Sequence, residues 1–210
     1  MRTFFFLLFI TVITNANAQQ GGFAPLKDVA TFKQKFTAAS LQLQSVESDF
    51  VQVKNLSLLK DKITSYGKFF YKKGNKVRIE YVKPFSYLMV LNNDAMMVMD
   101  EHKKSNFNTR SNKMMQSINS IMMDCMSGNV YNNKEFSTNV MENAKEYMLT
   151  MTPSTNMMKK MFSKIEVYLS KSDYNVLRLN MVESEGDNSL MTFSNRQLNK
   201  AIDEKLFSTK

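Results

Sequence analysis

Histidine and cysteine, two residue types that often serve in catalysis, each occur once in this chain of 210 residues. His102 is the only histidine and lies in a polar segment with two lysines after it, so a His-based triad or a histidine-rich metal site is hard to build. Cys125 is the only cysteine and lies among methionines, which favours a buried, unreactive thiol. The acidic pair Asp100-Glu101 falls where a strand is expected to end. We therefore predict no enzyme and no cofactor or metal; an enzyme that works with carboxylates alone is the remaining catalytic alternative.

The residues that do form a chemical pattern are apolar. Between residues 63 and 100, four short apolar runs are separated by turn residues, and alternation with charged residues is clearest around Ile79. A period of two places the two sets on opposite faces of a strand, and connections this short require antiparallel strands. We expect a meander with one polar face and one apolar face. The apolar face is expected to include Phe69, Tyr71, Val77, Ile79 and Tyr81.

Two amphipathic helices are predicted to cover this apolar face. The first runs from Leu26 to about Gln44 and carries Phe32 and Phe36 on its apolar side. The second runs from Asn112 to Met126. If the helices pack permanently, the interior is an ordinary core; if they move, the space beneath them is a lipid pocket. The apolar face of the second helix consists of Met114, Met115, Ile118, Ile121, Met122 and Cys125.

The remaining sequence predicts a mainly β (α+β) fold in one domain. Nine to eleven antiparallel strands are expected in a single curved sheet, with one helix before the sheet and one inserted midway. Leu206-Phe207 is a candidate final edge strand, and 156–162 is ambiguous. The other strands are predicted at Val46–Lys54, Phe136–Met141, Glu146–Thr152, Lys164–Ser170, Val176–Glu183 and Ser189–Asn195.

The first eighteen residues have the pattern of a secretory signal peptide. A basic residue is followed by an apolar run and by Ala16-Asn17-Ala18, which has the form of a cleavage site. A short membrane anchor is the alternative, although the run is too short to span a bilayer. Cleavage would leave residues 19–210 as a single exported domain beginning with Gln19, which cannot be acylated as a lipoprotein cysteine is.

Charge and composition add two constraints. The formal net charge of +9 suits an anionic membrane surface or an acidic partner, but scattered lysines are equally typical of a soluble surface. No nucleic-acid-binding module is recognisable, so no nucleic-acid partner is expected. Apart from Met1, the 18 methionines all lie between Met89 and Met191. Methionine fills irregular apolar space and adapts to variable ligands.

The order and spacing of several segments resemble the LolA-type periplasmic lipoprotein carriers. The resemblance covers nearly all of the chain after the leader, and each motif is weak when taken singly. The segments that carry it are Phe50-Val51-Gln52, 67–71 (GKFFY), 77–81 (VRIEY), Pro84, the hairpin Leu88–Met99, and the tail segments Ile165–Leu169, Leu177–Val182, Met191–Asn195 and Phe207.

This resemblance implies an unclosed antiparallel β-barrel with a helical lid over a lipid-binding cavity. By position, the cavity wall would include Val77, Ile79, Tyr81, Met89 and Leu91, joined by Phe69 and Tyr71 through alternation. The lid side would consist of Phe32, Phe36, Met114, Met115, Ile118 and Met122. Many members have an arginine-proline pair whose arginine latches the lid; Lys73-Gly74 stands there in this chain. A lysine can still donate to carbonyls, without the planar fork of arginine.

The function implied is a non-enzymatic, monomeric periplasmic carrier of acylated lipoproteins between the inner and outer membranes. Its implied partners are an inner-membrane lipoprotein-releasing ABC transporter and an outer-membrane acceptor. A carrier of a free lipid or glycolipid on the same fold is one alternative. A lipoprotein- or lipid-sensing regulator is another, and a structural protein whose methionines are all core is a third.

Overall fold

The computed structural model of the chain describes residues 22–58, 62–111 and 113–210, except for the side chains at 113–115, 118 and 122. The predicted leader, 1–18, lies outside the described residues. Within them, no helix combines the length and apolar character needed to cross a membrane.

One antiparallel sheet of twelve strands forms the body of the protein, which confirms the predicted mainly β fold. The order in the sheet is β1-β8-β9-β10-β11-β12-β2-β3-β4-β5-β6-β7. The β12–β2 pair joins the two halves of the chain, and the sheet stays unclosed. The strands are β1 Ala24–Pro25, β2 Ser45–Asn55, β3 Lys62–Lys72, β4 Lys76–Lys83, β5 Tyr87–Asn92, β6 Ala95–Asp100, β7 Lys104–Asn108, β8 Phe136–Glu142, β9 Glu146–Pro153, β10 Phe162–Ser170, β11 Val176–Glu183 and β12 Asn188–Leu198.

Helix α1 spans Val29–Gln42 and helix α2 spans Lys113–Ser127, close to the predicted bounds. The carboxylate of Asp28 begins α1 by accepting the backbone N–H of Thr31 at 3.0 Å. The ambiguous segment forms a short helix, α3, at Asn156–Met161. The methionine-rich helix α2 is the inserted element that the sequence predicts.

Helices α1 and α2 meet where α2 ends. Gly128 follows α2 with a φ of +70°, a conformation that favours glycine. A Cβ at this position would lie 2.8 Å from Ser40 Oγ and 3.1 Å from the Thr37 Cα atom of α1. The hydroxyl of Thr37 donates to the Gly128 carbonyl at 3.4 Å. A glycine is therefore needed where the two covering helices approach each other.

Gly67 lies inside strand β3, where it marks both a bulge and a close approach of another residue. The register between β3 and β4 shifts between Tyr66 and Gly67. A Cβ on Gly67 would lie 2.2 Å from the Glu80 carbonyl oxygen and 2.4 Å from Cζ of Phe50. The missing side chain thus makes room for the Phe50 ring on the inner face, the face that carries Phe69, Val77 and Ile79.

The prediction of a polar outer face is wrong for strands β3, β5 and β6, whereas β4 carries Lys76, Arg78 and Glu80 on that face as predicted. Phe70, Leu88, Val90 and Met97 point away from the inner face and form a second core. The C-terminal segment covers this core with Ile202 and Phe207, both buried. Continuous apolar runs are typical of strands that are buried on both faces.

The structure also differs from the sequence-based expectation at Leu206-Phe207 and at Lys104–Asn108. Leu206-Phe207 is part of a 3-10 turn at Glu204–Phe207 and not an edge strand. The carboxylate of Asp203 accepts the backbone N–H of Lys205 at 2.9 Å and begins that turn. Lys104–Asn108, which has no apolar periodicity, forms the edge strand β7.

Candidate functional site

An apolar cavity of about 220 Å³ lies between the inner face of the sheet and helix α2. Strands β3, β4 and β5 supply one wall, and strands β10, β11 and β12 supply the other. Helix α2 covers it with Ile121, Cys125 and Met126. The full lining is Phe69, Val77, Ile79, Tyr81, Met89, Ile121, Cys125, Met126, Phe162, Ile165, Val167, Val176, Leu179, Met181, Met191 and Phe193.

The strand register explains which of the predicted wall residues line the cavity. Phe69 pairs with Ile79, and Ile79 pairs with Met89, so these three side chains form one row across the sheet. All three line the cavity, as do Val77 and Tyr81.

Two predicted wall residues lie in the core beside the cavity. Tyr71 pairs with Val77 and Val77 pairs with Leu91, which makes a second row parallel to the first. Tyr71 and Leu91 are buried in the cluster that also contains Met96. They lie beside the cavity on the same face of the sheet, while Val77 reaches the cavity itself.

The wall from strands β10 to β12 was not among the predicted site residues. Ile165 and Val167 alternate on β10, and Leu179 and Met181 alternate on β11. Met191 on β12 belongs to the same wall. The period-two signal of the β3–β5 wall is also present in these strands and marks their apolar face. That this face meets the β3–β5 wall across a cavity follows only from the order of the strands in the sheet.

Of the predicted lid side, the two phenylalanines of α1 pack outside the large cavity. Phe32 and Phe36 stack with ring centroids 5.6 Å apart. Phe32 also meets Tyr147 edge-on at 4.6 Å, and Tyr174 lies 6.0 Å from it. Helix α1 is therefore held on β9 and the β10–β11 turn by an aromatic cluster.

The four remaining residues of the predicted lid side belong to helix α2. Their side chains, those of Met114, Met115, Ile118 and Met122, lie outside the described residues.

Lys73 bonds to the end of helix α1. Its Nζ donates to the carbonyl oxygen of Leu41 at 2.9 Å, and its backbone N–H donates to the carbonyl of Gln44 at 2.8 Å. The last carbonyls of a helix lack intrahelical partners and carry partial negative charge, which a lysine ammonium complements. The β3–β4 turn is thereby joined to the C-terminal end of α1.

Titratable groups at the cavity are neutral. Burial raises the pKa of the Cys125 thiol to about 12, and the neighbouring Asp124 carboxylate adds to the rise. Burial also raises the pKa of Tyr81 to about 12, with a smaller contribution from Tyr87. The Tyr81 hydroxyl donates to the side-chain oxygen of Gln52. A protonated thiol is a poor nucleophile, so burial makes Cys125 unreactive. Because Cys125 and Tyr81 are both neutral, the cavity is suited to binding apolar groups.

The other candidates for chemistry lie away from the cavity. His102 and Lys103 are in an exposed turn, where their backbone N–H groups donate to Asp100 at 2.9 and 2.8 Å. Over residues 22–58, 62–111 and 113–210, no three His, Cys, Asp or Glu side chains are grouped to hold a metal ion.

A family model described as "Outer membrane lipoprotein carrier protein LolA" matches residues 41–210. No protein with a curated description matches this chain.

Solved structures with the same arrangement share little sequence with this chain. An uncharacterized conserved protein from Thermus thermophilus superposes with a TM-score of 0.52 at 9% identity, over 84% of this chain and 91% of that one. The LolA superfamily protein NE2245 from Nitrosomonas europaea gives 0.47 at 9% identity, over 85% and 96%. The first of these similarities supports the fold, and at such identities it supports nothing beyond the fold.

Proposed function

The chain belongs to the LolA family of outer membrane lipoprotein carrier proteins, and from this premise we propose that it binds the acyl chains of lipoproteins and carries them from the inner to the outer membrane. The family's carriers are non-enzymatic. The observation that carries the proposal is the cavity of about 220 Å³ between the sheet and α2. Every one of its sixteen lining residues has an apolar side chain, a thioether, a thiol or an aromatic ring.

Transfer energetics explain why such a cavity suits a carrier. Burying one methylene gains about 0.8 kcal/mol, so transferring an acyl chain of about fifteen carbons out of water gains on the order of 12 kcal/mol of free energy. A chain like that crosses an aqueous compartment only when it is enclosed. The rows of Phe69, Ile79 and Met89 on one wall and Ile165, Leu179 and Met181 on the other offer this enclosure.

We infer from the volume of the cavity that the described conformation is the closed one. Pockets that enclose drug-sized ligands hold about 300–1,000 Å³, and this cavity holds about 220 Å³. Entry of a long acyl chain therefore requires the covering helices to move. The bond from Lys73 Nζ to Leu41 at 2.9 Å is the contact we expect to break when α1 moves.

The same proposal places the protein in the periplasm as a single domain, residues 19–210, behind a cleaved leader at 1–18. Its partners would be acylated lipoproteins, an inner-membrane lipoprotein-releasing ABC transporter and an outer-membrane acceptor, and it would act as a monomer. The family assignment supports the lipoprotein cargo; the identity of the transporter and acceptor rests on the proposal.

Co-purification tests the proposal with a matched pair of methionine variants. Met89→Lys places a charge in the cavity wall, whereas Met99→Lys places the same charge at an exposed site on the neighbouring strand. Acylated lipoprotein should be recovered with the wild type and with Met99→Lys, and recovery should fall at least tenfold with Met89→Lys, because a buried unpaired charge is costly. Equal recovery from all three would contradict the pocket.

The identity of the extracted material distinguishes the cargo classes. Mass spectrometry of lipid released from the purified wild type should detect acylated peptides after proteolysis. Free lipid or glycolipid without any acylated peptide would replace the lipoprotein cargo by a lipid cargo on the same fold.

A further inference from the structure

A second cavity of about 30 Å³ opens beside the apolar one, and we call it the polar cavity after Ser48, Asp173 and Arg196, which stand in its otherwise mainly apolar lining. The two share Phe69, Cys125, Met126, Val176 and Phe193, so they are adjoining parts of one space. The smaller cavity lies under helix α1, beside the β10–β11 turn. About 10–15 Å³ of such space is enough for one water molecule, so the cavity admits a small polar group.

A β-bulge directs a charged side chain into this cavity. On β12, Ser194 pairs with Asp49 of β2 and Gln197 pairs with Glu47, so Asn195 and Arg196 together face the single residue Ser48. Met191 and Phe193 point inward, and strict alternation would turn residue 196 outward. The extra residue reverses the alternation, and Arg196 lines the polar cavity.

The bulge is held in place from the outer face. Asn195 has a φ of 51°, in the left-handed region, and its side-chain amide donates to the Asp49 carboxylate at 2.8 Å. This bond is the largest cause of the lowered pKa of Asp49. Bulges occur next to functional sites, where they re-aim a side chain.

The polar groups of the cavity have unused hydrogen-bonding capacity. Ser48 is 2% exposed, and its hydroxyl has no hydrogen-bond partner among the described residues. Of the guanidinium donors of Arg196, one reaches the Val176 carbonyl at 3.5 Å. A buried hydroxyl without a partner is unfavourable, and a ligand that supplies an acceptor removes that penalty.

The local charge selects a neutral ligand group. Asp173 also lines the cavity, and its carboxylate accepts the backbone N–H of Asn175 at 3.1 Å. With one carboxylate and one guanidinium in its lining, the cavity carries no net formal charge, so an anionic head group gains less there than beside an unopposed arginine. Carbonyl oxygens, which accept hydrogen bonds without carrying a charge, fit the donors Arg196 and Ser48.

We propose that this polar cavity is a head-group subsite in which Arg196 and Ser48 bind an ester or amide carbonyl of the ligand whose acyl chain fills the apolar cavity. This inference rests on the proposed carrier function. The ligand class is a neutral acyl ester or acyl amide, found both in the acylated cysteine of a lipoprotein and in a diacylglycerol.

Matched lipids test the subsite through displacement of a fluorescent apolar dye from the purified protein. Dihexadecanoylglycerol has ester carbonyls, and dihexadecylglycerol has ether oxygens with chains of the same length. The wild type should bind the ester about tenfold more tightly, the ratio that a hydrogen bond to a charged donor provides. Arg196→Met and Ser48→Ala should both reduce this preference and leave ether binding unchanged.

Arg110→Met is the control, because it removes the same charge at an exposed site that pairs with Asp94 at 2.6 Å. Equal ester and ether affinities in the wild type, or equal losses for both lipids in the variants, would overturn the subsite. Tighter binding of hexadecanoate than of its methyl ester would also overturn it in favour of an anionic head. If the wild type binds neither lipid, the carrier function itself fails.

A triacylated cysteine lipopeptide separates the two sources of the carbonyl. If Arg196→Met weakens the lipopeptide more than the diacylglycerol, the subsite also recognises the amide carbonyl of the acylated cysteine. If it weakens the lipopeptide and the diacylglycerol alike, the subsite recognises the glyceryl esters that both carry. Either result supports carbonyl recognition; no weakening of either ligand contradicts it.

Discussion

At the residue scale, the tyrosine and cysteine side chains that border the cavity are buried in their neutral forms. Tyr81 donates to Gln52 at the edge of the cavity, and the Cys125 thiol lies between α2 and the sheet. Burial raises both pKa values to about 12, from ordinary values of 10.0 and 9.0. The folded chain keeps both groups protonated at pH values where the unfolded chain ionises them. The free energy of unfolding therefore depends on pH in a way that can be measured.

We expect the free energy of unfolding to decrease as the pH rises from 9 towards 12. Below pH 9 both groups are neutral in the folded and the unfolded chain; above it the unfolded chain loses protons that the folded chain retains. The expected slope is about 1.4 kcal/mol per pH unit for each group in its titration range. Urea unfolding at pH 8 to 11 measures it. Cys125→Ala should give a shallower decrease between pH 9 and 10, and parallel curves would contradict this.

At the scale of elements, the meander was predictable because its alternation is regular. Val77, Ile79 and Tyr81 interleave with charged residues, and the structure pairs them as expected. The run at 88–91 (LMVL) is apolar on both faces, which is typical of a strand buried on both sides, but it does not identify the C-terminal segment as the element that covers the outer face. Strand β7 was missed because its pairing depends on β6 and not on its own polar sequence.

The candidate site was predictable on one wall only. The residues on β3 to β5 followed from alternation together with the family resemblance, whereas those on β10 to β12 required the pairing of β12 with β2 to be known. The position of Arg196 could not be predicted, because a single bulged residue reverses the faces that a period of two assigns.

Lys73 allows the movement of helix α1 to be tested. Lys73→Met removes the bond from Nζ to the Leu41 carbonyl, and we expect this to make opening about fivefold more frequent. Cys125 is the reporter, since it is the only thiol and is buried under α2. Its rate of reaction with a maleimide should rise in Lys73→Met.

The same experiment has two matched comparisons. Lys68→Met removes an exposed lysine that pairs with Asp49 at 3.4 Å on the outer face, and it should leave the maleimide rate unchanged. Lys73→Arg retains a donor and should react no faster than the wild type. Equal rates in Lys73→Met and the wild type would exclude a latch at this residue.

At the scale of the whole molecule, the two faces of the sheet have different roles. The inner face lines the cavities, and the outer face of β3 to β6 packs against the C-terminal segment. Several bonds anchor that segment: Lys72 Nζ donates to the Ile202 carbonyl at 2.9 Å, and Asn92 donates to the Phe207 carbonyl at 3.1 Å. Lys72 and Lys76 both pair with Glu204, and these bonds lower the pKa of its carboxyl to about 2.

This division predicts that stability can be lost while the binding site is retained. Phe207 is fully buried in the outer core, so Phe207→Ala should lower the free energy of unfolding by about 3–5 kcal/mol, as is typical of large core truncations. Phe85→Ala, at an exposed position, should change it by less than about 0.5 kcal/mol. In urea-free buffer, the folded Phe207→Ala protein should bind dihexadecanoylglycerol with wild-type affinity, because no residue of the outer core lines either cavity. Weakened binding by this folded variant would mean that the outer core also shapes the cavities through the sheet, and the two faces would then not be independent.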